Sequence, residues 1–151
     1  MASFAIARLN KEITQLLKNT VPGIIIEEKP ENILLWKIKM IGPENSSYEN
    51  GIFEILITFN EEYPIKAPSV KFLTPMYHPN IYRDGKICID ILQPHEWSPI
   101  QSVRTILLSI RSLLTDPNPS SPANREAAEL FVNDINKYDI TVREFIEKNK
   151  I

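Results

Sequence analysis

Apolar residues open the chain at helical spacing. Ile6, Leu9, Ile13, Leu16 and Leu17 recur at intervals that predict an amphipathic helix over 3–19, with Ser3 as its N-cap. Arg8, Lys11, Glu12 and Gln15 share the polar face, which by itself reads as a solvated surface. Pro22-Gly23 ends the segment, and the period then changes. Runs at 24–28, 33–41, 52–59 and 70–73 are strand-like. The clearest is Phe53, Ile55, Ile57 and Phe59 alternating with Glu54, Leu56 and Thr58. Pro30, Gly42-Pro43 and Asn50-Gly51 separate the runs, the last being a hairpin signal. Short connections between successive strands predict an antiparallel meander of four.

From 60 to 101 periodicity fades and prolines recur at 64, 68, 75, 79, 94 and 99. An irregular stretch of this length in a compact domain is functional or disordered. Tyr63, Phe72, Tyr77, Tyr82, Ile87, Ile89, Ile91 and Trp97 give it apolar surface to bury, so order is expected. Tyr63-Pro64 is a candidate cis bond. Helical pattern resumes at 102–114 with Val103, Ile106, Leu107, Ile110, Leu113 and Leu114, a face apolar enough for the core. Asp116-Pro117-Asn118-Pro119 stops it. Ser121 as N-cap and Pro122 as first helical residue predict a helix over 122–132, and a last helix spans 134–148. The expected fold is α+β: an N-terminal helix, a four-stranded meander, an irregular active-site region, then C-terminal helices, all in one domain over 1–151.

Composition narrows the function. The 151 residues carry a formal net charge of −2, without the basic excess of a protein that grips nucleic acid. No apolar run approaches the length that spans a bilayer, so neither nucleic acid nor membrane is an expected partner. Met1-Ala2-Ser3-Phe4 lacks the plan of a secretory signal. With a single cysteine, this points to a reducing compartment, cytoplasmic or nuclear. One Cys and two His cannot supply an ordinary structural zinc site, and no glycine-rich nucleotide loop occurs. No metal or other cofactor is expected.

The candidate chemistry gathers around that cysteine, Cys88. Free cysteines are commonly buried as small hydrophobes, and Ile87 and Ile89 flank this one. Yet it lies inside the irregular segment, where function concentrates, and Asn80 sits eight residues upstream. An asparagine amide is a donor, so Cys88 with Asn80 makes a nucleophile and half an oxyanion hole. A cysteine hydrolase also needs a histidine base. His78, held by Pro79, reads as a brace for its loop, and His95, in Gln93-Pro94-His95-Glu96, as a solvated loop residue. A cysteine without a dedicated base suits a carbonyl that is already activated, as in thioester exchange. Passing the acyl group to an amine then rests on positioning.

Tyr77-His78-Pro79-Asn80, Gly85-Lys86-Ile87-Cys88-Ile89-Asp90-Ile91-Leu92 and Trp97-Ser98-Pro99 together resemble the catalytic core of the ubiquitin-conjugating enzymes. The likeness extends to Pro64 through Pro68, Leu107 through Leu114 and Asp116 through Pro119, and to the order of elements. It implies that Cys88 accepts the C-terminus of ubiquitin from an activating enzyme as a thioester and passes it to a substrate lysine or a ligase cysteine. Asn80 would stabilise the oxyanion or hold the loop that does. Asp90, with Asn118 to Ser121, would flank the incoming lysine, an acid there favouring the neutral amine by orientation and desolvation. Many members carry Asp where this chain has Ser121. Ser121 before Pro122 is either a phosphorylation site that restores the charge or a plain helix cap, and both roles are compatible.

The resemblance also implies partner surfaces. Arg8 and Lys11 match basic positions that meet the activating enzyme, although Ala7 stands where some relatives have another basic residue. Ile65, Ser98, Pro99 and Ile100 match two loops that dock ubiquitin ligases, although many relatives have an aromatic at Ile65. Pro119 to Ala128 is similar to a DNA-repair and histone-modifying branch. Val21 to Ile24 and Val103 to Leu108 are similar to a branch that builds lysine-63-linked chains with an inactive variant as heterodimer partner. The branch stays open. Gln93 to Glu96 holds one residue more than several relatives. The short tails read as a bare catalytic domain. Two further classes stand beside ubiquitin transfer: a carrier of another ubiquitin-like modifier, and a non-catalytic binding module of the same fold.

Overall fold

A computed structural model of the chain describes residues 2–150. Helix α1, Ala2–Lys18, is followed by strands β1, Ile24–Ile25, β2, Leu35–Ile41, β3, Ile52–Thr58, and β4, Ser69–Phe72. A single 3₁₀ turn, Asp90–Leu92, precedes helices α2, Val103–Thr115, α3, Arg125–Asn133, and α4, Ile135–Lys148. The sheet is an antiparallel meander in the order β1-β2-β3-β4. Its register sets Trp36 opposite Ile57, Ile38 opposite Ile55 and Met40 opposite Phe53, with Ile55 and Ile57 in turn opposite Phe72 and Val70. Side-chain period two sends all of these to one buried face. They share a single core with Ala5, Leu9, Ile13 and Leu16 of α1 and with Val103, Ile106, Leu107, Ile110 and Leu114 of α2.

Element boundaries shift for identifiable reasons. Helix α1 starts at Ala2, so Ser3 lies inside its first turn and does not cap it. Ile6 and Leu17, expected in the apolar stripe, are 37% and 40% exposed, whereas Glu12, expected on the solvated face, is only 8% exposed. The β2–β3 connection is no two-residue hairpin at Asn50-Gly51. The loop is closed by Gly42 N–H donating to Gly51 O at 2.8 Å, because Tyr48 dives into the core and binds Tyr77 O at 2.5 Å and Tyr138 Oη at 2.6 Å. Asn45 and Asn50 take positive φ in that loop. The Tyr63-Pro64 bond is cis, as its sequence indicated.

Ser102 caps α2 in a capping box with Thr105. Ser121 does not cap α3. The helix starts at Arg125 with Asn124 as its cap, accepting Ala127 N–H at 3.1 Å. The preceding residues are bound elsewhere: Ala123 and Asn124 N–H both donate to Pro79 O, at 2.7 and 3.0 Å. That carbonyl holds 123–124 against the Cys88 region and delays the helix by three residues relative to Pro122. Asp134 caps α4, in line with the 134–148 reading.

Candidate active site

The irregular region is ordered by a few strong anchors. Trp97 Nε1 donates to Pro64 O at 2.8 Å and ties the two proline-rich loops together. The backbone of Ile81 bridges Ile87, and Cys88 N–H donates to Asn80 O at 2.8 Å. Asn80 and Cys88 are thus neighbours across a narrow turn-back of the chain. Cys88 is half-buried and stands at the border of two open clefts. One, of about 500 Å³, is lined by Asp90, Leu108, Ser112, Asp116 and Asn118. The other, of about 690 Å³, lies on the strand side with Lys71, Tyr82, Asp84 and Lys86.

Asn80 is 1% exposed, and its side chain is fully engaged. Nδ2 donates to Asn118 O at 2.7 Å and Ser121 O at 3.2 Å, while Oδ1 accepts Asn118 N–H at 2.8 Å. Both amide hydrogens serve the 118–121 loop. Of the two roles set out for Asn80, this conformation favours holding the loop, since no side-chain N–H remains for an oxyanion. Asn118 Oδ1 in turn accepts Ser120 N–H and Oγ–H, at 3.2 and 2.6 Å, which stiffens the loop end.

His78 is the brace its position suggested. It is fully buried. Nδ1 accepts Asn80 N–H at 2.9 Å, which leaves Nε2–H to donate to Leu113 O at 2.8 Å. Burial pushes its pKa down to about 4, against the opposing pull of the Leu113 carbonyl. A neutral ring with both nitrogens occupied is not a base for Cys88. His95 is exposed and faces Glu96 at 3.9 Å. Among the described residues no group of three His, Cys, Asp or Glu could hold a metal.

Asp90 is exposed at the start of the 3₁₀ turn and shares the first cleft with Asn118. Ser121 is exposed and reaches the site only through its carbonyl, lining neither cleft. The positions matched to ligase docking divide by exposure. Ile65 and Ile100 are 68% and 85% exposed. Pro99 is exposed, and Ser98, half-buried, accepts Ile100 N–H at 3.3 Å. Lys11 is exposed. Arg8 is not free: Nε pairs with Glu12, Nη2 donates to Gln101 O at 2.9 Å and Pro99 O at 3.3 Å, and the guanidinium lies over the Tyr63 ring. The added residue near Gln93 sits in an exposed turn where Glu96 and Trp97 N–H both donate to Gln93 O at 2.9 Å.

Asp116, Leu108 and Ser112 were not among the sequence candidates for the site, yet they line its first cleft. Their four-residue spacing, Leu108 and Ser112 on α2 and Asp116 as its C-cap, on the side opposite the buried stripe, is the signal that marks them.

Cys88 thus lies half-buried between two clefts, while His78 is engaged by Asn80 and Leu113 and His95 faces Glu96. The chain belongs to the ubiquitin-conjugating enzyme family, whose model matches residues 8–146. It is 45% identical over 149 residues to the protein named ubiquitin-conjugating enzyme E2 2 of Kluyveromyces lactis, which covers 99% of this chain and 90% of that protein. The Saccharomyces cerevisiae protein of the same name is equally similar, covering 99% and 86%. That of Debaryomyces hansenii is 42% identical, covering 99% and 88%. It is accordingly an enzyme of an acyl-transferase family in ubiquitin conjugation.

Proposed function

We propose that Cys88 is the nucleophile that carries ubiquitin. Its thiolate attacks the activated C-terminal carbonyl presented by the activating enzyme, a thioester forms, and the donor's thiolate leaves. A substrate lysine amine or a ligase cysteine then takes the acyl group, and Cys88 departs as thiolate. The observation that carries this reading is the half-buried Cys88 bordering two clefts while both histidines are committed or remote. Thioester exchange needs no strong base, because the leaving group is itself a thiolate.

Asn80 is a positioning residue in this scheme. It pins the 118–121 loop that faces the incoming amine, and Asp90 supplies a carboxylate in the same cleft to orient it. Asn118 shapes that wall, and His78 holds the turn beneath it. Ser121 contributes through its carbonyl, and phosphate on its exposed hydroxyl would add negative charge at the cleft rim. Lys11 offers an exposed cation on α1 for the activating enzyme, with Arg8 ordering the surface beside it. Ile65, Ser98, Pro99 and Ile100 form the ligase-facing loops, and the protein works in the cytoplasm or nucleus.

Incubation with activating enzyme, ATP and ubiquitin tests the reading. The expected product is a one-to-one adduct that reducing agent removes. Cys88→Ala gives none, and Cys88→Ser gives an adduct that resists reducing agent but yields to alkali. An undiminished adduct on Cys88→Ala would overturn the assignment.

A further inference from the structure

The strand-side cleft beside Cys88 carries charge that acyl transfer itself does not use. Lys71 of β4 and Lys86, two residues before Cys88, form an isolated antiparallel bridge. Phe72 N–H donates to Gly85 O and Tyr82 N–H to Lys86 O, each at 2.9 Å, so the backbone carrying both lysines is pinned. Both side chains are exposed and line the same cleft as the thiol. Among the described residues neither ammonium belongs to an ion pair. Asp84, the carboxylate in that cleft, accepts Lys86 N–H at 2.9 Å through Oδ1 and closes the turn. Like charges directly across a strand pair are unfavourable. Here they stand without a counter-ion, at the mouth of a nucleophile. The opposite cleft has the inverse sign, with Asp90 and Asp116. The thiol therefore separates an acidic wall from a basic one.

We propose that Lys71 and Lys86 read an anionic side chain on the acceptor protein, close in sequence to the lysine that takes ubiquitin from Cys88. The inference rests on the thioester reading above. The acceptor amine, already deprotonated, attacks the thioester carbonyl. A C–N bond forms, the C–S bond breaks, the sulfur leaves with its electron pair, and the nitrogen's surplus proton passes to solvent. A carboxylate or phosphate held by the two ammonium groups steers that amine toward the carbonyl without entering the bond changes. Exposed charge pairs are individually weak, so the expected preference is about three- to tenfold at low salt and shrinks as ionic strength rises.

The test is single-turnover discharge of the preloaded protein, after ATP is removed, onto three lysine peptides differing at one flanking position: Glu, phosphoserine or Gln. The Glu and phosphoserine peptides should accept ubiquitin about three- to tenfold faster than the Gln peptide. Preference for phosphoserine alone assigns the pair to phosphorylated acceptors, still anionic. In K71E/K86E the ranking should invert, an Arg-flanked peptide overtaking the Glu-flanked one. The ratio between peptides is read on one preparation, so partial unfolding does not imitate the result. Equal rates for all three peptides, with free lysine still accepting ubiquitin, would overturn the inference while leaving the thioester carrier intact. Failure to load at all would overturn both.

Discussion

His78 shows how one buried side chain shapes the site without reacting. Its ring accepts from Asn80 and donates to Leu113, so it joins the turn carrying Asn80 to the last turn of α2. Protonation would put the ring's second hydrogen on Nδ1, directly against the Asn80 N–H, in a site closed to water. Its depressed pKa makes stability depend on pH with a definite sign. Between about 4, the folded value, and about 6.5, the unfolded value, the unfolded chain binds the extra proton. Stability is therefore complete above pH 6.5 and falls as pH drops through this window, by about 3 kcal/mol in all. Urea unfolding of wild type and His78→Gln across pH 7.5 to 4.5 measures it. The variant should be less stable at pH 7.5 and lose less on acidification. Parallel curves would show that other groups carry the acid sensitivity. Asn80 and Cys88 were legible in the sequence because their relation is local: eight residues, one turn-back, one backbone hydrogen bond.

At the scale of elements, the joint between α1, the cis-proline loop and α2 is a single carboxylate. Glu12 accepts from Arg8 Nε at 3.0 Å, Tyr63 Oη at 2.5 Å and Val103 N–H at 2.7 Å. Val103 opens α2, so the carboxylate also lies at the positive end of that helix. Burial first, and the Glu12 carboxylate second, hold the Tyr63 hydroxyl protonated well above its ordinary range. Helical spacing placed Glu12 among solvated residues because its partners lie 51 and 91 residues away, beyond any periodic signal. The same blindness affected the start of α3, set by the Pro79 carbonyl, and the Lys71–Lys86 bridge, which exists only through register. Glu12→Gln keeps the shape but presents an amide where three donors converge. Denaturant melts should show a loss of about 2–4 kcal/mol. Tyr63→Phe should cost about 1–2 kcal/mol, since it removes one donor and leaves the rest. A Glu12→Gln protein as stable as wild type would mean that the joint is held by packing alone.

Across the whole molecule, that joint adjoins the loops that carry Ile65 and Ile100: Tyr63 lies two residues before Ile65, and Arg8, paired with Glu12, donates to Pro99 O and Gln101 O on either side of Ile100. Trp97 and Arg8 tie the two loops to each other and to α1, so two side chains with no packing role are displayed on a rigid mount. At 68% and 85% exposure, their truncation should alter stability by no more than about 0.5 kcal/mol. Apolar residues held on a stiff surface have the character of interface anchors, where truncation costs about 2 kcal/mol or more. The measurement is a ratio: the rate at which loaded protein discharges with a ligase present, divided by the rate without it. For each ligase that accelerates wild type, the Ile65→Ala/Ile100→Ala protein should lose about tenfold or more of that ratio, with unfolding midpoints superimposable. A ratio equal to that of wild type would move the ligase surface elsewhere. A lowered midpoint would instead show that the two residues pack into the loops, in conflict with their exposure.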